Sequence, residues 1–221
     1  MESVIEKSVL RAKRAAVTGR VASVASFIVA LLITVLCWAY SAMPDEYVGE
    51  LGEGVYGSVS IDMIDPVVWD LFQMAAIALI GVLSLMWFLA LLFWAAWFMP
   101  FARRWVAARM PAWAAALSAL VPGFGVGFHY FALKEAAAQI SKAMDSYDLE
   151  FKPEVVNRFY LWFWNAVIAL FLVFGASWYF WPGVLFSELV LFVALFRYFG
   201  LALAFAREER RLLYKISGIE R

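Results

Sequence analysis

Residues 111–146, PAWAAALSALVPGFGVGFHYFALKEAAAQISKAMDS, decide the fold of this chain. The apolar first part, Ala112 to Val121, covers only about half of a ~30 Å hydrocarbon core at ~1.5 Å per residue. A group of helix-breaking residues follows, and a second helical pattern begins near Phe128 and soon becomes amphipathic. The breaking residues are Pro122, Gly123, Gly125 and Gly127. The pattern predicts a re-entrant or interfacial helical hairpin over residues 111–146, with those four residues at its turn.

The composition is that of a membrane protein. Hydrophobic residues make up 65 % of the 221 residues, and the mean hydropathy is +0.79. Eighteen basic and eighteen acidic residues cancel in the formal net charge, but the basic ones lie mostly between or outside the apolar runs. This segregation indicates membrane topology and not nucleic-acid binding. The lone cysteine, Cys37, lies inside an apolar run and is interpreted as a small buried hydrophobe.

The chain is predicted to be an all-α membrane bundle with four transmembrane helices. The spans fall at about 21–43, 67–100, 156–180 and 184–205, and with the hairpin they form one transmembrane domain over 21–206. Pro100 is expected to end the second span, and Pro182-Gly183 predicts a tight turn before the last one. Residues 1–20 suit a basic amphipathic helix on an anionic membrane surface, the alternative being a frayed basic tail, and 207–221 form a second basic tail.

The distribution of positive charge decides between a hairpin and a further span. If residues 111–132 turn back, seventeen of the eighteen Lys and Arg residues lie on one side of the membrane. If they cross, nine lie on the wrong side. The positive-inside rule therefore favours the hairpin and places both termini in the cytoplasm. The stretch 44–66, with six acidic residues and no basic one, is then outside.

Four polar residues predicted at membrane depth are candidates for a functional site, because burying such groups in a bilayer is costly. They are His129, Asn165, Glu188 and Arg197. His129 is either a proton-sensitive group or a hydrogen-bonded histidine at a helix start. Glu188 and Arg197 are nine residues apart on one helix, so their side chains point to opposite faces and are not expected to pair. Small residues recur every four positions in the first span and predict a helix-packing face: Ala22, Ser26, Ala30 and Thr34.

No motif for catalysis or for a cofactor stands out. With one histidine, one cysteine and no acidic cluster at membrane depth, the chain lacks an ordinary metal-ligand set, so neither a metal nor a cofactor is predicted. A Ser-His-Asp triad could be assembled from Ser118, His129 and Asp70. No nucleophile motif surrounds the serine, so a catalytic triad is not predicted. The glycine spacing from Gly123 to Gly127 follows no strand and is not interpreted as a phosphate loop.

One region resembles an uncharacterised family of bacterial multi-pass membrane proteins. The resemblance rests on Pro111-Ala112-Trp113, then Val121-Pro122, the polar helix with Lys134-Glu135, and Pro153 before Trp162 and Trp164. It covers residues 101–180 at most. The function of that family is unknown, so the resemblance implies a bacterial cytoplasmic membrane and carries over no site residue.

Two functions are favoured by the sequence, and catalysis within the membrane is a third alternative, which an activity lost in His129→Ala with folding retained would support. The first is a non-enzymatic subunit or scaffold of a membrane complex, whose partners are the lipid bilayer and another membrane protein or further copies of itself, without nucleic acid. The second is a channel or small-solute transporter whose path is lined by the Pro122–Gly127 hairpin.

Overall fold

The computed structural model of the chain describes residues 2–41, 66–106, 124–175 and 181–218. Within these ranges the regular structure is entirely helical, which confirms the all-α prediction. Five helices follow one another: α1 (Glu2–Ser41), α2 (Pro66–Trp105), α3 (Phe124–Asp145), α4 (Pro153–Gly175) and α5 (Trp181–Ser217).

Three helices in the described part of the chain are long and apolar enough to cross a membrane, where four were predicted. They are α1, α2 and α5, over 5–35, 73–105 and 185–217. With 40, 40 and 37 residues they rise about 55–60 Å, nearly twice the thickness of a hydrocarbon core, so each is longer than one crossing needs. Helix α4 has the charged residues Glu154 and Arg158 in its first two turns, and residues 176–180 of the predicted span 156–180 lie outside the described residues.

Helix α1 runs antiparallel to both α2 and α5. Its start meets the end of α5, where Ser8 Oγ donates to Glu209 at 3.1 Å, and its far part meets the start of α5, where Thr34 Oγ1 donates to Glu188 at 2.7 Å. Helix α2 lies on another side of α1, and the indole of Trp87 donates to Ser26 Oγ at 2.8 Å. At one end of the bundle α1 begins and both α2 and α5 end. We call this end the basic end.

The buried core lies near the basic end and not in the middle of the apolar helices. Helix α3 packs there, and its buried stripe meets the aromatic rows of α2 and α5. The largest fully buried side chains are Trp94, Trp97, Phe98, Phe101, Phe199, Phe205, Leu133, Ile140, Met144, Leu201, Leu212 and His129. Towards the opposite end the apolar side chains are exposed, as at Ile77 (69 %) and Ile80 (63 %) of α2. This is the pattern of helices that meet lipid at one end and a packed bundle at the other.

Helix α2 continues through Pro100 to Trp105, so the predicted end of the second span at Pro100 is wrong. A proline inside a helix removes one backbone hydrogen bond and normally ends or kinks it. Here Trp97, Phe98 and Phe101 on both sides of the proline are fully buried, and this packing holds the two halves together.

The basic segments that flank the first and last spans are continuous with these spans. The basic amphipathic helix expected over 1–20 and the span 21–43 lie in one helix, α1 (Glu2–Ser41). Likewise α5 includes both the predicted span 184–205 and most of the basic tail, up to Ser217. The basic ends continue as helices because they pack on one another, as at the buried Ala12 and Leu212.

Two predicted turns fall partly inside helices. Helix α5 begins at Trp181, so Pro182 and Gly183 belong to its first turn, where proline is well tolerated because the first N–H groups of a helix have no intrahelical partner. Helix α3 begins at Phe124, so Gly125 and Gly127 lie within its first turn and not ahead of it. Pro122, Gly123 and the rest of the predicted first arm of the hairpin lie outside the described residues.

Candidate functional site

The four predicted polar residues do not form one site. His129 lies in the aromatic core, Glu188 lies between α1 and α5 far from the basic end, and Arg197 lines a cavity. Asn165 is partly buried on α4. The structure therefore divides the predicted site into separate environments, of which the cavity beside Arg197 is the one with room for a ligand.

His129 is surrounded by aromatic rings and is 1 % exposed. The indole N–H of Trp94 donates to its Nε2 at 3.4 Å, and the ring of Phe98 stacks on it at a centroid distance of 4.7 Å. Tyr198 of α5 meets the same imidazole edge-on at 6.0 Å. Nε2 of the imidazole thus accepts a hydrogen bond from α2, and the ring is held in place by aromatic contacts from two helices. This geometry corresponds to the structural alternative, a hydrogen-bonded histidine near a helix start.

The predicted packing face of α1 is shared between two neighbouring helices. Ala22 is fully buried, Ser26 accepts the hydrogen bond from Trp87 of α2, and Thr34 donates to Glu188 of α5. Ala30 between them is partly buried. The other carboxylate oxygen of Glu188, Oε2, is buried without a hydrogen-bond partner among the described residues. The Thr34 hydroxyl thus provides part of the polar environment that a carboxyl group needs at this depth.

Four arginines from three helices line one cavity of about 490 Å³, which we call the arginine cavity. Arg20 comes from α1, Arg158 from α4, and Arg197 and Arg207 from α5. The remainder of the described lining is apolar apart from one glycine: Phe192, Val193, Phe196, Gly200 and Leu203. No Asp or Glu is found among these lining residues, so the positive charges face one another without a carboxylate between them.

Arg20 is held in the arginine cavity by contacts to α5. Its Nε donates to the carbonyl oxygen of Phe196 at 3.4 Å, and its guanidinium lies 4.6 Å from the centre of the Phe196 ring. Gly200 leaves the space that the guanidinium fills, because a Cβ atom there would overlap Nη2 of Arg20. The other three arginines line the same cavity, so their positive charges add to that of Arg20 around one space.

A second basic cavity of about 280 Å³ adjoins the arginine cavity and shares Arg158 and Arg207 with it. Lys152, Arg210 and Arg211 add further positive charge. Two carboxylates line it as well: Glu208, which pairs with Arg211 at 2.6 Å, and the exposed Glu154, which is 4.0 Å from Arg158. The two cavities form a basic groove between α4 and α5.

The sequence pattern indicated Arg197 but not the other three arginines, because Arg20, Arg158 and Arg207 lie in segments interpreted as basic flanks of the spans. A signal for part of the cluster was present. At 100° per residue, Arg197, Gly200 and Arg207 fall within an arc of about 80° on α5, so one helical face carries two arginines around a glycine. The contributions of α1 and α4 depend on tertiary packing and have no such signal. Among the described residues no group of three or more His, Cys, Asp or Glu could hold a metal ion.

The fold and this cavity together define an all-α protein with three helices suited to a membrane and a basic groove on their flank. Comparison of the chain with known protein families, curated proteins and solved structures finds no significant match. The resemblance to an uncharacterised bacterial family therefore stays a prediction.

Proposed function

We propose that the protein is a non-enzymatic integral membrane protein, a binding subunit or scaffold of a membrane complex, and that the arginine cavity is its site for an anionic group. The observation that carries this proposal is the set of four guanidinium groups around one space. Guanidinium groups bind carboxylates and phosphates through paired N–H donors. They stay protonated, so they do not act as general acids or bases, and such a lining suits binding better than catalysis.

We place the basic end of the bundle at the cytoplasmic face, with both termini inside the cell. Most of the positive charge lies there, as the positive-inside rule requires, and the Ser8–Glu209 contact brings the start of α1 to the end of α5. Helix α3 lies at the basic end and α5 starts at the opposite end, so the chain has to cross between the two ends after α3. We propose that α4 makes this crossing as a fourth transmembrane helix. A bacterial inner membrane follows from the resemblance alone.

Anion binding is tested by thermal unfolding of the purified chain in detergent. Phosphate at ten times its Kd stabilises the folded state by about 1.4 kcal/mol, a rise in Tm of about 4 °C over chloride at equal ionic strength. Arg197→Gln should remove this rise. Arg14→Gln, which deletes the same charge at an exposed position of α1 outside the cavity, should keep it. An equal rise in the wild type and in Arg197→Gln would refute the site.

The exposed part of α2 away from the basic end supports the second part of the proposal, the binding of another membrane protein or a second copy. Gly81 has no neighbour within 4 Å for an added Cβ, so Gly81→Leu leaves the fold of this chain unchanged. If a helix of another membrane protein or of a second copy packs there, Gly81→Leu should reduce the amount that copurifies from native membranes in mild detergent. Val82→Leu, at a similarly exposed position, is the control. Equal recovery of the partner with both variants would exclude this surface of α2.

Transport of a small anion is the second candidate function. Arg197 lies within the apolar range 185–217, so the arginine cavity would draw an anion to a point beside a membrane-crossing helix. Of the predicted path along the Pro122–Gly127 turn, Pro122 and Gly123 lie outside the described residues, and residues 124–127 form the first turn of α3. Phosphate flux in liposomes that is lost with Arg197→Gln and kept with Arg14→Gln would favour transport over a binding role.

A further inference from the structure

We infer that the basic groove between α4 and α5 holds the phosphates of an anionic phospholipid, and that a lipid with two phosphates, cardiolipin, fits it better than one with a single phosphate. This inference rests on the proposed anion site and specifies its ligand. The arginine cavity and the second basic cavity are adjacent and share Arg158 and Arg207. A ligand with two linked phosphates can therefore occupy both at once.

The arrangement of apolar and basic residues along the arginine cavity favours a lipid over a soluble anion. Phe192, Val193 and Phe196 line the side away from the basic end, whereas Arg207 lies towards it. Beyond Phe192 the surface of α5 continues with exposed apolar side chains, including Leu189 (46 %) and Leu185 (40 %). A phosphate among the arginines would thus have its acyl chains directed along an apolar surface. A free phosphate ion would leave that surface unused.

The basic groove carries more positive charge than the carboxylates in its lining can balance. Arg20 is partly buried and is bound to a backbone carbonyl and an aromatic ring, neither of which neutralises it. The carboxylate nearest to Arg158 belongs to Glu154, whose side chain is 76 % exposed and therefore screened by water. An anion bound between the partly buried Arg20 and the exposed Arg197 and Arg207 would reduce the repulsion among their like charges. Basic pockets between membrane helices on the cytoplasmic side are places where cardiolipin head groups bind.

The test is native mass spectrometry of the full chain released from mixed vesicles of cardiolipin, phosphatidylglycerol and phosphatidylcholine. We expect retention in the order cardiolipin, phosphatidylglycerol, phosphatidylcholine. Loss of one guanidinium, in Arg20→Gln or Arg197→Gln, should weaken cardiolipin retention about tenfold. Arg14→Gln should change it less than about twofold, because that charge lies outside both cavities of the groove. Equal retention of the three lipids, or an equal effect of Arg14→Gln, would overturn the inference.

Two further measurements are needed. The first distinguishes loss of lipid binding from a folding defect, and the second distinguishes a lipid ligand from a soluble phosphate. Arg197→Lys keeps the charge but loses the paired donors, so it should retain helicity and weaken cardiolipin more than phosphatidylglycerol. Inorganic phosphate is then added to the delipidated chain. If phosphate stabilises it through Arg197 while vesicles show no lipid preference, the lipid inference fails and the anion site stands. If neither phosphate nor lipid depends on Arg197, both proposals fail.

Discussion

The Nε atom of Arg104 lies 2.7 Å from Oε1 of Glu209, and this ion pair joins the end of α2 to the end of α5. The same carboxylate oxygen accepts the indole N–H of Trp105 at 2.8 Å, and the other oxygen accepts the hydroxyl of Ser8 of α1 at 3.1 Å. Glu209 is 1 % exposed. One buried carboxylate therefore connects three helices at the basic end.

Glu209→Ala should lower the free energy of unfolding by about 2 kcal/mol, because it removes the acceptor of three donors. The loss stays below that of a fully buried pair, since the side chain of Arg104 is 37 % exposed and regains water. Unfolding by SDS titration of the detergent-purified chain measures it. Glu154→Ala is the control and should change the value by less than about 0.5 kcal/mol, because the Glu154 side chain is 76 % exposed. Equal losses for both variants would contradict this role of Glu209.

Gly19→Ala should destabilise the bundle by about 1–3 kcal/mol, because the added Cβ would enter the space of the buried Phe199 ring. The same substitution at Gly81 meets no atom within 4 Å. Gly81→Ala should therefore be neutral or stabilise α2 by up to about 1 kcal/mol, as alanine favours a helix over glycine. The midpoints of SDS unfolding compare the two, and a Gly19→Ala variant as stable as the wild type would show that α1 and α5 separate easily at this point.

The Thr34–Glu188 hydrogen bond should appear in a double-mutant cycle. Thr34→Val removes the hydroxyl that lies 2.7 Å from Oε1 of Glu188 while keeping the side-chain shape. We expect a coupling energy of about 1 kcal/mol between Thr34→Val and Glu188→Leu, within the range of hydrogen bonds between membrane helices. Additive effects of the two substitutions on unfolding would mean that the contact contributes nothing to stability.

Cysteine labelling tests the proposed orientation. In a Cys37→Ser background, single cysteines at the exposed positions Glu6, Ser146 and Lys215 should react with an impermeant maleimide only after the cells are permeabilised. Ser58→Cys, within the acidic stretch that the sequence places outside, should react in intact cells. Labelling at position 215 from outside would reverse the proposed orientation of α5.

The helical class and the apolar runs follow from the sequence because long uncharged stretches leave the backbone few alternatives to a helix in lipid. Helix ends were less predictable. Pro100 and the Pro182-Gly183 pair are local helix-breaking signals. Packing around Trp97 and Phe101 lets α2 continue through Pro100, and Pro182-Gly183 lies in the first turn of α5.

The candidate site was likewise predictable only in part from the sequence. Sequence alone determined that Arg197 and Glu188 lie on one apolar helix and point to different faces. Helical periodicity fixes the angle between two side chains on the same helix. Only the tertiary structure decided that Arg20 and Arg158 come from other helices to join Arg197, while Glu188 pairs with Thr34 instead. Which residues meet between helices depends on which faces pack together and at what height. Periodicity within a helix carries no information about its partner.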